Sequence, residues 1–295
     1  MNSVRPSTEP STRASTIRVR SMGILLWGGT GNAVAGAWAG FYTGVPLRAT
    51  LAAPSNDAAV MNFGSMAILY HHPLCPHSRF VRLVLGEMGL DIDLVEERTW
   101  ERREPFLILN PAGTTPVLVE EHMEGIPGAN VIAEWLDETR GLALGDRRLL
   151  PEGVKERVEV RRLLDWFNGK FFDEVSGHLI HQKIYKRFMP ADVGGGAPDP
   201  AAIRAARSNI RYHLHYIGFL IRQRKWLAGD RLTYADLAAA AHLSSVDYLG
   251  DVPWEENDTA KEWYARVKSR PAFRTLIADR IAGMAPSPAY ADLDF

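Results

Sequence analysis

Asn110-Pro111-Ala112-Gly113-Thr114-Thr115-Pro116-Val117-Leu118 is the stretch whose reading decides the fold. Asn110-Pro111 stops a helical pattern that begins near Glu101, because the residue before a proline is pushed out of the α region. Ala112 to Thr115 is turn-like, and Pro116 fixes the entry into the apolar run Val117-Leu118-Val119, a short strand. Outward from this turn the periodicity alternates between strand and helix. Ala67 to Tyr70 is an apolar run halted at His71-His72-Pro73. Phe80, Val81, Val84, Leu85 and Met88 recur at helical spacing, and Gly89 closes that helix. Ile92, Leu94 and Glu96 alternate as a second strand. Glu124 to Ile126 supplies a last short strand, and Val131, Ile132, Trp135 and Leu136 mark a helix to about Glu138. The order strand, helix, strand, helix, strand, strand, helix predicts one α/β layer over residues 66–140.

Beyond a polar connection at Thr139 to Pro151 only helical patterns appear, over 151–285. They run from Glu152 to about Phe172, Ala201 to Lys225, Tyr234 to Leu249, Thr259 to Ser269 and Pro271 to Ile281, with a Gly/Pro-rich break at Ala191 to Pro200. Tyr234 to Leu249 is almost wholly apolar and is expected to be central. Trp226-Leu227-Ala228-Gly229-Asp230-Arg231-Leu232-Thr233-Tyr234-Ala235-Asp236-Leu237 opens it, with Thr233 and Asp236 spaced as a capping box and Leu232 as the staple residue.

Composition narrows the functions. Apolar residues are 46% and charged residues 23% of the chain, which suits a core-forming protein. A net charge of −1 argues against a dominant nucleic-acid surface. Cys75 is the only cysteine, so an intramolecular disulfide and a cysteine-based metal cluster are both excluded, and no metal site is expected. Residues 1–65 differ from the rest: Ser, Thr and Arg at first, then Met22 to Pro46 without a charged side chain. They read as an unstructured extension, a targeting segment or text ahead of a later start at Met66.

Cys75-Pro76-His77-Ser78 sits where a strand meets a helix. With the turn at 110–118, the helix start at Val131 to Leu136 and the Trp226 to Leu237 motif, it resembles the cytosolic glutathione transferase superfamily. The resemblance covers residues 66 to about 282. It implies an α/β thioredoxin-like N-terminal domain, an all-α C-terminal domain and a homodimer. It also implies that Thr115 and a cis Pro116 border a glutathione site, with Cys75 or Ser78 activating sulfur at the helix N-terminus. Cys-Pro-x-Ser further resembles a glutaredoxin-like thiol site, in which Cys75 would form a mixed disulfide; the plain alternative is a packing residue at a turn. His71, His72 and His77 read as solvated or capping. One departure bears on activity. The family's Glu-Ser pair ahead of the last helix of the first domain holds the γ-glutamyl group, and here those positions are Gly128 and Ala129. Each hydrogen bond lost to a charged group costs roughly 1.5–3 kcal/mol, so two losses weaken glutathione binding by about two decades or more, with Asn130 left to compensate in part. Glutathione is therefore a doubtful ligand and no cofactor is expected.

The end of the chain, Pro286 to Phe295, carries Tyr290, Leu293 and Phe295 with Asp292 and Asp294 among them. Apolar anchors flanked by acid suit a peptide that docks on a basic, grooved partner, and equally a tail folded back on its own domain. The segment Met66–Leu90, MAILYHHPLCPHSRFVRLVLGEMGL, and the terminal AYADLDF resemble more narrowly the FtsZ-binding, glutathione-transferase-like division proteins of α-proteobacteria. That resemblance implies a cytoplasmic protein without stable membrane association, recruited to the division site, binding FtsZ through the tail 286–295 and promoting constriction. A working glutathione transferase or thiol reductase using Cys75 or Ser78 is the alternative.

Overall fold

The structure, a computed structural model, describes residues 67–121 and 123–292. The expectations for residues 1–65 and for Leu293, Asp294 and Phe295 lie outside the described residues.

The α/β layer forms in the expected order: β1 Ile68–His71, α1 Pro76–Met88, β2 Asp93–Glu96, α2 Glu104–Leu109, β3 Val117–Val119, β4 Ile126–Pro127 and α3 Ala129–Arg140. The sheet runs β2-β1-β3-β4. β1 pairs parallel with β2 in the register Leu69↔Leu94 and antiparallel with β3 in the register Leu69↔Leu118, while β3 and β4 are antiparallel. A parallel pair needs a crossover, and α1 supplies it. Pro76 at the first helical position starts α1 and Gly89, in the left-handed region at φ 71°, ends it. The core-facing side of α1 buries Phe80, Val81, Val84 and Leu85, each contributing about 1.5–3 kcal/mol of transfer free energy.

The helical part comprises α4 Val154–Asp165, α5 Gly177–Ile180, α6 Lys186–Phe188, α7 Pro200–Gln223, α8 Tyr234–Tyr248, α9 Asp258–Lys268 and α10 Arg274–Ile277. Two expectations are corrected. The helix begun at Val154 does not end near Phe172 but runs on to Phe188, through π-helical turns at Trp166–Ser176 and His181–Tyr185. Each π turn adds a residue, which shifts the apolar phase and hides the continuation from a 3.6-residue pattern. The last helix is shorter than Pro271 to Ile281, a single 3-10 turn followed by α10. The Asp279 carboxylate there turns back to accept from Arg82 at 2.8 and 3.0 Å and from Arg79 at 3.2 Å.

α8 is buried along its whole length and lies against α1, joining the two halves through one core. The Thr233–Asp236 capping box is present. The buried Asp236 carboxylate accepts from Leu227 N at 2.9 Å, Thr233 N at 3.1 Å and Trp263 Nε1 at 3.0 Å, so it fastens the entering loop and α9 to the same helix start. Among the described residues no helix is long and apolar enough to cross a membrane.

Candidate functional site

The loop Pro73–Cys75 carries the chain from β1 to the start of α1, which places Cys75 at a helix N-terminus. Beside it a cavity of about 430 Å³ opens between the sheet end and the helical part. Cys75, His77, Thr115, Gly128, Ala129 and Asn130 line it from the α/β layer. Asn168, Phe172, Ile180 and Tyr185 line it from the helical part. The expected residues are thus brought together with two exceptions. Ser78 is buried behind the thiol, accepting from His72 N at 3.4 Å, and does not line the cavity. Pro116 forms the expected cis peptide with Thr115 but stays outside the lining.

Cys75 is 6% exposed and its Sγ approaches Thr115 O at 3.7 Å. Burial pushes the thiol up, but hydrogen bonding and charge from His77, with a further bond from Ser78, more than reverse this and bring it down to about 7. Burial alone would lower the His77 imidazole; the Cys75 sulfur and the Asn168 carbonyl outweigh it and raise the group. His77 Nε2 lies 2.8 Å from Asn168 O, a carbonyl that can only accept, so this nitrogen carries a proton and Nδ1 is left for the sulfur side. The arrangement is a thiol–imidazole pair at a helix N-terminus, and both the imidazole and the helix start favour the thiolate.

The histidine expectation needs correction. His71 and His72 are buried, not solvated, because β1 ends inside the junction of the two halves; the capping reading holds for His72, whose Nδ1 accepts from Leu74 N at 3.3 Å. Burial, with Arg82 and Arg79 nearby, lowers His71 to about 3; burial, His71 and Arg79 lower His72 to about 3. His72 is edge-on to Trp100 and Tyr185, ring centroids 5.8 and 4.9 Å away.

At the other wall, α3 starts on Gly128, held at φ 92°, a conformation in which a serine or glutamate would be strained. Neither a side-chain cap nor a first-turn acid covers the α3 amides. They keep the affinity of a helix start for an anion, and neither a hydroxyl nor a carboxylate stands at Gly128 and Ala129. Asn130 lines the cavity, and its Oδ1 accepts from Asn168 Nδ2 at 2.6 Å. Asn168 Oδ1 in turn is 3.1 Å from His242 Nε2, and His242 Nδ1 is 2.8 Å from Ser176 Oγ. Asn168, Phe172 and Tyr185 were missed in the sequence because they come from the π-helical turns, where no local motif marks them. Among the described residues no group of three or more His, Cys, Asp and Glu side chains is placed to hold a metal ion.

The tail corrects a further expectation. Tyr290 is not an exposed anchor for a partner but is fully buried in its own bundle. Its hydroxyl donates to Leu276 O at 2.8 Å and accepts from Arg79 at 2.9 Å, and its ring is edge-on to Tyr248. Buried Lys268 donates to Ala289 O at 3.0 Å and Asp292 O at 2.7 Å. The described chain ends at Asp292, which is exposed.

Residues 69–144 match the family model for the glutathione S-transferase N-terminal domain, and residues 199–280 match that for the C-terminal domain. FtsZ-localized protein A of Caulobacter vibrioides is 48% identical over 230 residues, which are 77% of this chain and 97% of that protein. The solved structure of FzlA from C. crescentus superposes with a TM-score of 0.71 at 47% identity, covering 78% of this chain and 99% of that one. A crystal structure of a glutathione S-transferase from Sinorhizobium meliloti 1021 gives a TM-score of 0.77 at 53% identity, with 78% and 100% covered. The sheet order, the cis turn at Thr115–Pro116, the capped α8 and these matches agree: the chain belongs to the glutathione S-transferase family, with FtsZ-localized protein A among its similar relatives.

Proposed function

We propose that this protein is a division-site factor that associates with FtsZ as a glutathione-transferase-like homodimer in the cytoplasm and promotes constriction. The observation that carries the reading is the similarity to FtsZ-localized protein A over almost the whole of that protein's length. Two features support it. The α3 start has lost the groups that would hold a γ-glutamyl moiety, which relieves the fold of an obligate detoxification role. The chain also ends in an acidic, apolar sequence whose described part is strapped down as far as an exposed Asp292.

In this reading the bundle holds the tail by Tyr290 and offers the residues beyond it, with Asp292 and Asp294 as charged contacts and Leu293 and Phe295 as apolar ones. A dimer carries two such tails, and joining two modest contacts raises the effective concentration of the second to about the millimolar range. Filament co-sedimentation tests it. Intact protein is expected in the pellet with FtsZ filaments; a version truncated after Ala285 and the Asp292→Lys variant are expected in the supernatant. An Asp292→Lys protein that still pellets removes the tail from the mechanism.

One observation favours a second reading, a glutathione-dependent transferase or thiol reductase: the Cys75 thiol faces a cavity beside an imidazole that stabilises its thiolate. Retention on immobilised glutathione together with turnover that disappears in Cys75→Ser is the outcome that would select it.

A further inference from the structure

Arg79 lies one residue beyond Ser78 and is fully buried, yet every arm of its guanidinium is occupied. Nε donates to Pro73 O at 2.7 Å, which fixes the loop carrying Cys75. One terminal nitrogen donates to Ser244 Oγ and to Tyr290 Oη, both at 2.9 Å, and the other reaches Asp279 at 3.2 Å. The same cation therefore holds the thiol loop with one edge and the C-terminal segment with another. A second connection is apolar. Tyr290 shares a buried cluster with Leu74, Ile180, Ile184 and Tyr248. Leu74 immediately precedes Cys75, and Ile180 also forms part of the cavity wall. The segment is seated by further bonds: Ser287 N to Tyr248 O at 2.9 Å, Ser287 Oγ to Asp247 O at 2.7 Å, and the two carbonyls held by Lys268.

We propose that Ser287–Asp292 is a clasp for the thiol loop, so that the seating of Tyr290 sets how firmly Pro73–Ser78 is held and how accessible Cys75 is. With Tyr290 out of its seat, Arg79 loses a buried acceptor and the cluster that holds Leu74 loses a ring. The loop then opens locally more often, and a reagent in the cavity reaches the sulfur faster. Tail and cavity are linked in both directions: a ligand that needs the loop in its closed position favours the seated tail, and a partner that draws the tail out disfavours that ligand. Only the identity of such a partner rests on the FtsZ reading; the clasp itself does not.

The chain has a single cysteine, so alkylation by iodoacetamide in the full-length protein reports on this loop alone. Tyr290→Ala empties the seat and is expected to alkylate about tenfold faster than the unmodified protein. Tyr290→Phe keeps the ring but loses the Arg79 and Leu276 bonds, and is expected to alkylate about two- to threefold faster. Asp294→Lys lies beyond the Ser287–Asp292 clasp and is expected to show the unmodified rate. Because opening is local, the faster rates are expected to stay flat in dilute urea, where a merely destabilised fold would accelerate with denaturant. A Tyr290→Ala protein that alkylates at the unmodified rate while hydrogen exchange shows 284–292 released overturns the clasp. Should that variant not fold, Tyr290→Phe decides: an unchanged rate there overturns it equally. Asp294→Lys separates the two ideas, since lost co-sedimentation with an unmodified thiol rate bears on FtsZ alone.

Discussion

Cys75 and His77 sit two residues apart at the start of α1, yet their chemistry is settled by a residue far away in the chain. The Asn168 carbonyl occupies His77 Nε2 and so turns the other ring nitrogen to the sulfur side. The thiolate is the nucleophile, so the alkylation rate of Cys75 should rise with pH and reach half its maximum near pH 7. Replacing His77 by Phe removes the group that offsets burial, and the midpoint should move upward by at least about one unit. A midpoint that stays near 7 in His77→Phe would show that the helix start alone holds the thiolate. Residue by residue, the candidate site was legible only where a local motif carried it. Cys75, Thr115, Gly128, Ala129 and Asn130 stand at turns and helix starts that the sequence spacing marks, and all five meet at the cavity. Ser78 belongs to the same motif but points inward, a matter of helix phase that a four-residue pattern does not encode. His71 and His72 were misjudged because burial at the end of β1 depends on the helical half covering it.

At the level of elements, the loop opening α8 concentrates the most specific sequence signal and the most shared hydrogen bonds. Asp236→Ala should destabilise the protein by about 3 kcal/mol, because it strands the Leu227 and Thr233 amides and the Trp263 indole in the interior at once. Thr233→Ala should cost about 1 kcal/mol, the ordinary worth of a cap. Urea unfolding of the two full-length variants separates the roles: equal losses would mean that Asp236 is a helix cap and nothing more. α1, α3 and α7 were readable because each has one apolar face with a clear period and recognisable ends, and α8 because it is apolar throughout and opens on a capping box. The π-helical turns were not, since their extra residue per turn rotates Asn168, Phe172 and Tyr185 off the pattern and into the cavity. Tyr290 was readable as an anchor, but not as one for its own bundle. That choice was made by Arg79, a cation buried more than two hundred residues upstream in the chain.

For the whole molecule, the proposed dimer and the buried histidines make separate demands. Val158 on α4 is 60% exposed, unusually open for a valine, and a charge placed there tests the proposed dimer. Val158→Glu should convert a dimer to a monomer in size-exclusion chromatography; an unchanged elution volume would place the contact elsewhere. The histidines govern acid stability. His71 and His72 titrate near 6.5 when unfolded and near 3 when folded. Between these values the unfolded chain binds more protons, so stability is complete above about pH 6.5 and is lost as pH falls toward 3. At pH 5 each contributes a loss of about 2 kcal/mol relative to pH 7. Buried His242, also lowered by burial, adds to the loss, while Asp236 and Asp247, raised by burial, oppose it. Unfolding free energies measured at pH 7 and pH 5 should therefore converge by about 2 kcal/mol in His71→Asn, whose amide cannot gain a proton. If the variant loses as much stability on acidification as the unmodified protein, the acid sensitivity originates in the ion pairs, and the junction beneath β1 tolerates a charged imidazole.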